Sequence, residues 1–385
     1  MIIPWRRGTA AAHFLDDALS ALTAADWTAA EPPVACAYWP VDLANPYQAL
    51  IYSGFPRHNL VPIRLREFGR FDSLLDALPE DLPRVLHVHW LYEVTAGSGS
   101  QGDALARVTR FEGEIRRLRG RGVRLLWTVH NVLPHETVYP EVEKRLRRFM
   151  LENSDLVHVM HDSHLELLES TFGVAPKAAA VVSHPSYVGA YPDHVDAAAA
   201  RAHLGVPRTA RVLVTFGQIR PYKGHTAFFD AFDRAVRLEP RLRWLVAGKV
   251  RDEPGGREFM RRAAEHPAVL FYPGFVPEAD VQFYLRAADA AVFPYRSSLN
   301  SGAVALTAGF DLPVYASTGT SLSDLMPPEA VVRFDLDDPE KTARLLAEPP
   351  AEVSAAARDA VRTHSRGIAP AVVSDQLATE LRRSL

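Results

Sequence analysis

The feature that most constrains this chain is a rhythm: short apolar or β-branched runs alternate with longer amphipathic stretches along most of its 385 residues. Runs of this kind, buried on both faces and joined by helices, build parallel sheets. They fall into two sets. The first holds residues 34–38, 60–63, 85–89, 125–129, 156–160 and 179–183. The second holds 212–216, 244–247, 269–272, 290–293, 314–316 and 331–334. Between them, after Tyr187, a proline-punctuated and alanine-rich passage runs to about Pro207. The length is too great for one core and suits two α/β domains. Their expected bounds are 1–195 and 196–385, with a last helical stretch at 369–383 that could pack on either.

Helical periodicity is clearest from Asp103 to Arg119, where Val108, Phe111, Ile115 and Leu118 share one side and Gly120 is placed to end the helix. A further helix is predicted over 13–26, ahead of the first strand. The balance of 48% hydrophobic and 23% charged residues is that of a globular protein. A net charge of -3 provides no general attraction for nucleic acid. The single cysteine, Cys36, lies in an apolar run and reads as a buried, inert thiol. No run approaches the ~20 apolar residues of a membrane span, and none has the build of a secretion signal. A cytoplasmic protein is expected. Arginines crowd residues 107–148, but interleaved glutamates dilute them, so membrane contact is expected to be weak and peripheral.

In open parallel sheets ligands bind at the carboxyl ends of strands. Three such ends in the second half carry chemistry. After 212–216 comes Gly217-Gln218-Ile219-Arg220-Pro221-Tyr222-Lys223-Gly224. Gly217 permits close backbone approach, Arg220 can fork across two oxygens, and Lys223 is one of only five lysines, so the pair suits a diphosphate. Further on lie Gly274-Phe275-Val276-Pro277, then a strand ending in Pro294-Tyr295, then Ser298-Leu299-Asn300-Ser301-Gly302. Asn300 or Ser301 can cap the helix that starts there, and Gly302 lets a phosphate approach its exposed N–H groups.

In the first half, strand ends carry His87, His89, Trp90 and Glu93, and then His130, Asn131, His135 and Glu136. Period-two geometry puts His87 and His89 on one face. The histidines do not read as a zinc site: there is no His-Glu-x-x-His pair, and Pro134 disrupts the helix face that His135 and Glu136 would need.

Taken in order, the segments from Val212 to Thr318 resemble the nucleotide-sugar half of GT-B glycosyltransferases, family 4 and its relatives above all. The resemblance implies two Rossmann-like domains facing each other across a cleft. It implies that Arg220 and Lys223 grip the donor diphosphate, that Phe275 and Val276 border the base, and that Asn300, Ser301 and Gly302 cradle the phosphates. Thr-Val-His-Asn at 128–131 matches a place where such enzymes present a histidine to the donor sugar, which is His130, and Asn45-Pro46-Tyr47 is similar to the start of the N-terminal domain. One departure stands out. Two glutamates usual in family 4 fall at Leu299 and Thr307, so Thr307 takes a donor-side position without a carboxylate. This version is similar to a divergent branch of bacterial polysaccharide and natural-product glycosylation.

The expected activity is therefore metal-independent hexosyl transfer, with no cofactor, from a UDP-, GDP- or TDP-sugar to a small-molecule or lipid-linked acceptor. If the reaction inverts the anomeric centre, a base must take the acceptor proton. The candidates are Glu136, ranked first, with Glu93, His89 and His135; His130, His89 and Glu136 form the catalytic set, and Trp90, Glu93 and His135 face the acceptor. A nucleotide-sugar 2-epimerase and a non-catalytic binding subunit are the alternatives.

Overall fold

The structure, a computed structural model, describes residues 10–29, 31–134 and 137–385, with side chains from Asp17 onward. All twelve expected strands form. In the first sheet they are β1 (Val34–Trp39), β2 (Leu60–Arg64), β3 (Arg84–Val88), β4 (Arg124–Thr128), β5 (Leu156–Val159) and β6 (Ala179–Val181). In the second they are β7 (Arg211–Phe216), β8 (Leu242–Gly248), β9 (Val269–Pro273), β10 (Ala290–Phe293), β11 (Val314–Ser317) and β12 (Val331–Phe334). Every pairing is parallel, in the orders β2-β1-β3-β4-β5-β6 and β12-β11-β10-β7-β8-β9. Strands covered by helices on both faces must be apolar throughout, and β1, β5, β10 and β11 are buried at every residue. Cys36 lies inside β1, where burial pushes its thiol up to about 12.

The chain divides into two compact units. One comprises the described residues up to Ser183 together with Ala371–Leu385; the other is His184–Pro370. The crossing thus falls at 183/184, ahead of the expected 195/196, because the proline-rich passage packs with the second unit: Ser186 N donates to the Ile368 carbonyl at 2.8 Å and Tyr187 N to that of Ala305 at 3.3 Å. The last helix, Pro370–Ser384, belongs to the first unit. Ser374 Oγ accepts from Gly54 N at 2.7 Å and donates to the Ile51 carbonyl at 2.6 Å, while Asp375 pairs with Arg57.

In the first unit, helix Gln101–Gly120 buries Val108, Phe111, Ile115 and Leu118 as its periodicity requires. Ser100 caps it by accepting from Asp103 N at 3.1 Å. Its left-handed stop is Gly122, at φ 79°, two residues beyond the Gly120 expected to end it. Helix Ala10–Thr23 precedes β1. The crowded arginines are largely paired on the surface, Arg117 and Arg121 with Asp72 and Arg145 with Glu112. In the second unit, helix His225–Leu238 sets Phe228, Phe229 and Phe232 around the buried indole of Trp244, each worth roughly 1.5–3 kcal/mol of transfer free energy. That core fixes the strand ends from which the loops leave.

Candidate active site

In the second unit β7 has β8 on one side and β10 on the other, so the strand order reverses between β7 and β10. At such a point the following loops diverge to opposite faces and open a crevice. The loops are residues 217–224 and 294–301, both singled out in the sequence. Backbone bonds fix them: Ile219 N donates to the Lys249 carbonyl at 2.9 Å, Arg251 N to that of Ile219 at 3.1 Å, and Arg296 N to that of Tyr222 at 3.1 Å. Gly224, at φ 66°, brings the two loops together; a Cβ there would lie 2.0 Å from the Pro294 carbonyl oxygen. Only glycine fits that approach.

Lys223 Nζ lies 5.1 Å from the centroid of the Tyr295 ring. Desolvation lowers its pKa; Tyr222 opposes the shift and the nearby guanidinium of Arg220 adds to it. No carboxylate among the described residues pairs with this ammonium. The Arg220 side chain is steadied by Gln218 Oε1, at 3.0 Å from Nε and 2.8 Å from Nη2. On the other loop, Ser301 occupies the N-cap of helix Gly302–Gly309 without a side-chain capping bond, and its hydroxyl meets the buried Tyr295. The first N–H groups of that helix have no intrahelical acceptors, and the helix end carries roughly half a positive charge. A half-buried ammonium, a guanidinium and a helix start at the carboxyl ends of two adjacent strands suit a diphosphate.

In the first unit a chain of hydrogen bonds crosses the ends of β3, β4 and β5. His130 Nε2 lies 3.2 Å from His89 Nδ1, and His89 Nε2 is 2.7 Å from the Tyr52 hydroxyl. Tyr52 meets His87 Nδ1 at 2.6 Å, and His87 Nε2 meets Thr128 Oγ1 at 2.7 Å. Thr128 Oγ1 is 2.9 Å from His158 Nδ1, and His158 Nε2 is 2.8 Å from the Val182 carbonyl oxygen. Burial pushes the pKa of His87 and His89 well below the ordinary histidine value, and neighbouring histidines reinforce it. His130 is half-buried, stacked on Trp90 at 4.5 Å between centroids and edge-on to Tyr47 at 4.9 Å. His89, Trp90, His130, Asn131 and Arg147 help line a recess of about 20 Å³. That volume admits a hydroxyl or one water and no sugar ring. Arg147, one of the arginines that crowd residues 107–148, is only 3% exposed; its Nη1 pairs with Glu143, and Thr95 donates to the other oxygen of that carboxylate.

These features can be set beside known proteins. Residues 210–357 match the family described as Glycosyl transferases group 1. A GDP-mannose:glycolipid 4-beta-D-mannosyltransferase of Xanthomonas campestris pv. campestris is 25% identical over 280 residues, covering 71% of this chain and 69% of the relative. Among solved structures, Anabaena HepE in complex with UDP superposes with a TM-score of 0.64 at 14% identity, covering 91% of this chain and 100% of that one. The sucrose-phosphate synthase of Thermosynechococcus elongatus gives 0.64 at 16% identity, covering 92% and 100%. The chain is a GT-B glycosyltransferase.

Within this glycosyltransferase the structure gathers some expected residues and separates others. Gly217, Arg220, Lys223, Asn300 and Ser301 sit on the two loops at the reversal point, and Gly302 opens the helix that follows the second. Phe275 and Val276 leave β9, two strand spacings or roughly 10 Å from β7, and Phe275 is 84% exposed. Thr307 corrects the sequence reading: it is buried and its hydroxyl donates to the Val304 carbonyl of its own helix at 2.8 Å, so it offers nothing to a donor. Leu299 is buried as well. His89 and Trp90 join His130, whereas Glu93 is exposed and does not line the recess. His135 and Glu136 lie outside the described residues. Among the described residues no three His, Cys, Asp or Glu side chains gather as metal ligands.

Sequence reading passed over Tyr52, His158 and the inward-facing Arg147. His158 was within reach, two positions after the start of a recognised strand and opposite Thr128 in the register of β4 and β5. Tyr52 carried no signal, because it arrives from a short helix, Tyr47–Ile51, whose packing no periodicity announces.

Proposed function

We propose that this glycosyltransferase transfers a hexosyl group from a nucleoside-diphosphate sugar held by the second unit to a hydroxyl of an acceptor held by the first, without a metal ion. The observation that carries the reading is Lys223: an ammonium desolvated at the strand-order reversal, beside Arg220, paired with no carboxylate among the described residues. Desolvating a charge is costly unless a counter-charge arrives, and a diphosphate supplies one. The same two cations neutralise the charge that grows on the departing diphosphate as the glycosidic bond breaks. HepE is described in complex with UDP, and the Xanthomonas relative is named for GDP-mannose and a glycolipid. Both support a nucleoside-diphosphate donor, and the second also supports a lipid-linked acceptor. Such an acceptor is compatible with a chain in which no described helix is long and apolar enough to cross a membrane.

A thermal-shift panel of UDP, GDP and TDP, each with and without EDTA, tests the reading. A ligand at a hundred times its Kd stabilises by about 2.7 kcal/mol. At least one nucleotide is expected to raise the unfolding midpoint, and chelation to leave the rise unchanged. No rise with any of the three, or a rise abolished by EDTA, overturns it.

A further inference from the structure

The hydrogen-bond chain under His130 has a direction, and one backbone atom sets it. A carbonyl oxygen can only accept, so His158 Nε2, 2.8 Å from the Val182 oxygen, carries a proton. A fully buried ring between a carbonyl and a hydroxyl is neutral, because a charge there would go unsolvated. His158 Nδ1 is therefore an acceptor, and Thr128 gives its only hydroxyl proton to it. Thr128 must then accept from His87 Nε2–H. His87 is neutral, so its Nδ1 accepts the Tyr52 hydroxyl proton. Tyr52 in turn accepts from His89 Nε2–H, and the remaining nitrogen of that neutral ring, Nδ1, accepts from His130 Nε2–H. The Tyr47 hydroxyl, which also bonds Thr128, donates to it, since Thr128 has already given its proton.

We propose that this relay is a tautomer lock: the Val182 carbonyl, acting through His158, Thr128, His87, Tyr52 and His89, holds the proton of His130 on Nε2 and makes Nδ1 its proton-accepting atom. The inference rests on the reading that the first unit holds the acceptor. In the transfer step the acceptor hydroxyl gives its proton to His130 Nδ1. Its oxygen bonds the anomeric carbon, and the bond from that carbon to the diphosphate oxygen breaks, with the electron pair leaving on the diphosphate. The five intervening groups touch no substrate and are positioning groups. Among the described residues, Tyr38, Tyr47, Tyr52 and Cys36 near the relay keep their protons near neutrality, because burial raises the pKa of each. Arg147, which borders the recess, is already paired with Glu143.

The test is long-range ¹H–¹⁵N correlation on the full-length, ligand-free protein labelled at its histidine ring nitrogens, with resonances assigned through His→Gln variants. His87, His89, His130 and His158 are each expected to appear at pH 7.5 as neutral Nε2–H rings. An Nδ1–H tautomer at His130, or an imidazolium at His158, which would reverse every step, overturns the lock. Thr128→Val cuts the chain at its middle. It is expected to mix the tautomers of His87, His89 and His130 and to lower kcat at least about tenfold with the donor KM unchanged, while Thr128→Ser restores both. If Thr128→Val does not fold, the wild-type spectrum decides alone. The expected tautomers together with a kcat indifferent to Thr128→Val would overturn the catalytic role and place the acceptor elsewhere, a failure separate from that of the lock.

Discussion

At the scale of single residues, Lys223 is the most informative side chain in the second unit. Its ammonium has lost water without gaining a carboxylate among the described residues, so its pKa falls below the ordinary lysine value. A diphosphate binds the charged form. Affinity should therefore be full below the lowered pKa and fall as pH rises through it, in a window beneath that of a free lysine. Isothermal titration with the nucleotide that responds in the thermal panel checks this. Lys223→Ala and Arg220→Ala are each expected to cost at least ~1.5 kcal/mol of affinity, about tenfold. Lys223→Arg, charged at every accessible pH, is expected to flatten the pH dependence. Unchanged affinity in both alanine variants would remove these residues from the site. The position of Lys223 and Arg220 past a strand end was legible in the sequence because both follow an apolar strand run. The relay was legible only in part, because hydrogen bonds between strands depend on register. His87, His89 and His130 stand at strand ends, but nothing local to Tyr52 or His158 says that they complete the line.

At the scale of elements, the two loops at the strand-order reversal behave as one piece, and Gly224 is the contact that makes them so. It combines a left-handed φ of 66° with the 2.0 Å approach that a Cβ would make to the Pro294 carbonyl oxygen, a backbone atom that cannot rotate away. Gly224→Ala should cost more than the ~1 kcal/mol of an ordinary glycine replacement, because strain and clash add. It should also weaken nucleotide binding by parting Lys223 from Tyr295. A urea midpoint equal to wild type would show that the loops are not locked there. The twelve strands were readable because parallel strands buried on both faces must be apolar along their length, and β10 and β12 keep their expected bounds. Ends were less readable. Helix Gln101–Gly120 stops through Gly122, since the chain makes one further turn before the left-handed residue. Thr307 misled for a related reason: a hydroxyl at a family position looks like a ligand until its helix turns it inward.

At the scale of the molecule, the proposed function gives the diphosphate to the unit with the second sheet and the acceptor hydroxyl to the unit with the first. The boundary was the least legible feature. Proline and alanine between residues 187 and 207 mark a change of pattern, but the passage packs with the second unit through Ser186 and Tyr187, and the chain crosses before it. Nothing local to residues 369–383 said which unit they would join; Ser374 and Asp375 settle it by long-range bonds to Gly54 and Arg57. The central claim, that the donor diphosphate is held at the reversal point of the second sheet, is tested most directly by hydrogen exchange on the whole chain with and without the nucleoside diphosphate. The account predicts slowed exchange in peptides covering residues 217–224 and 294–303. Slowing confined to other segments, at a nucleotide concentration that saturates binding, would contradict it.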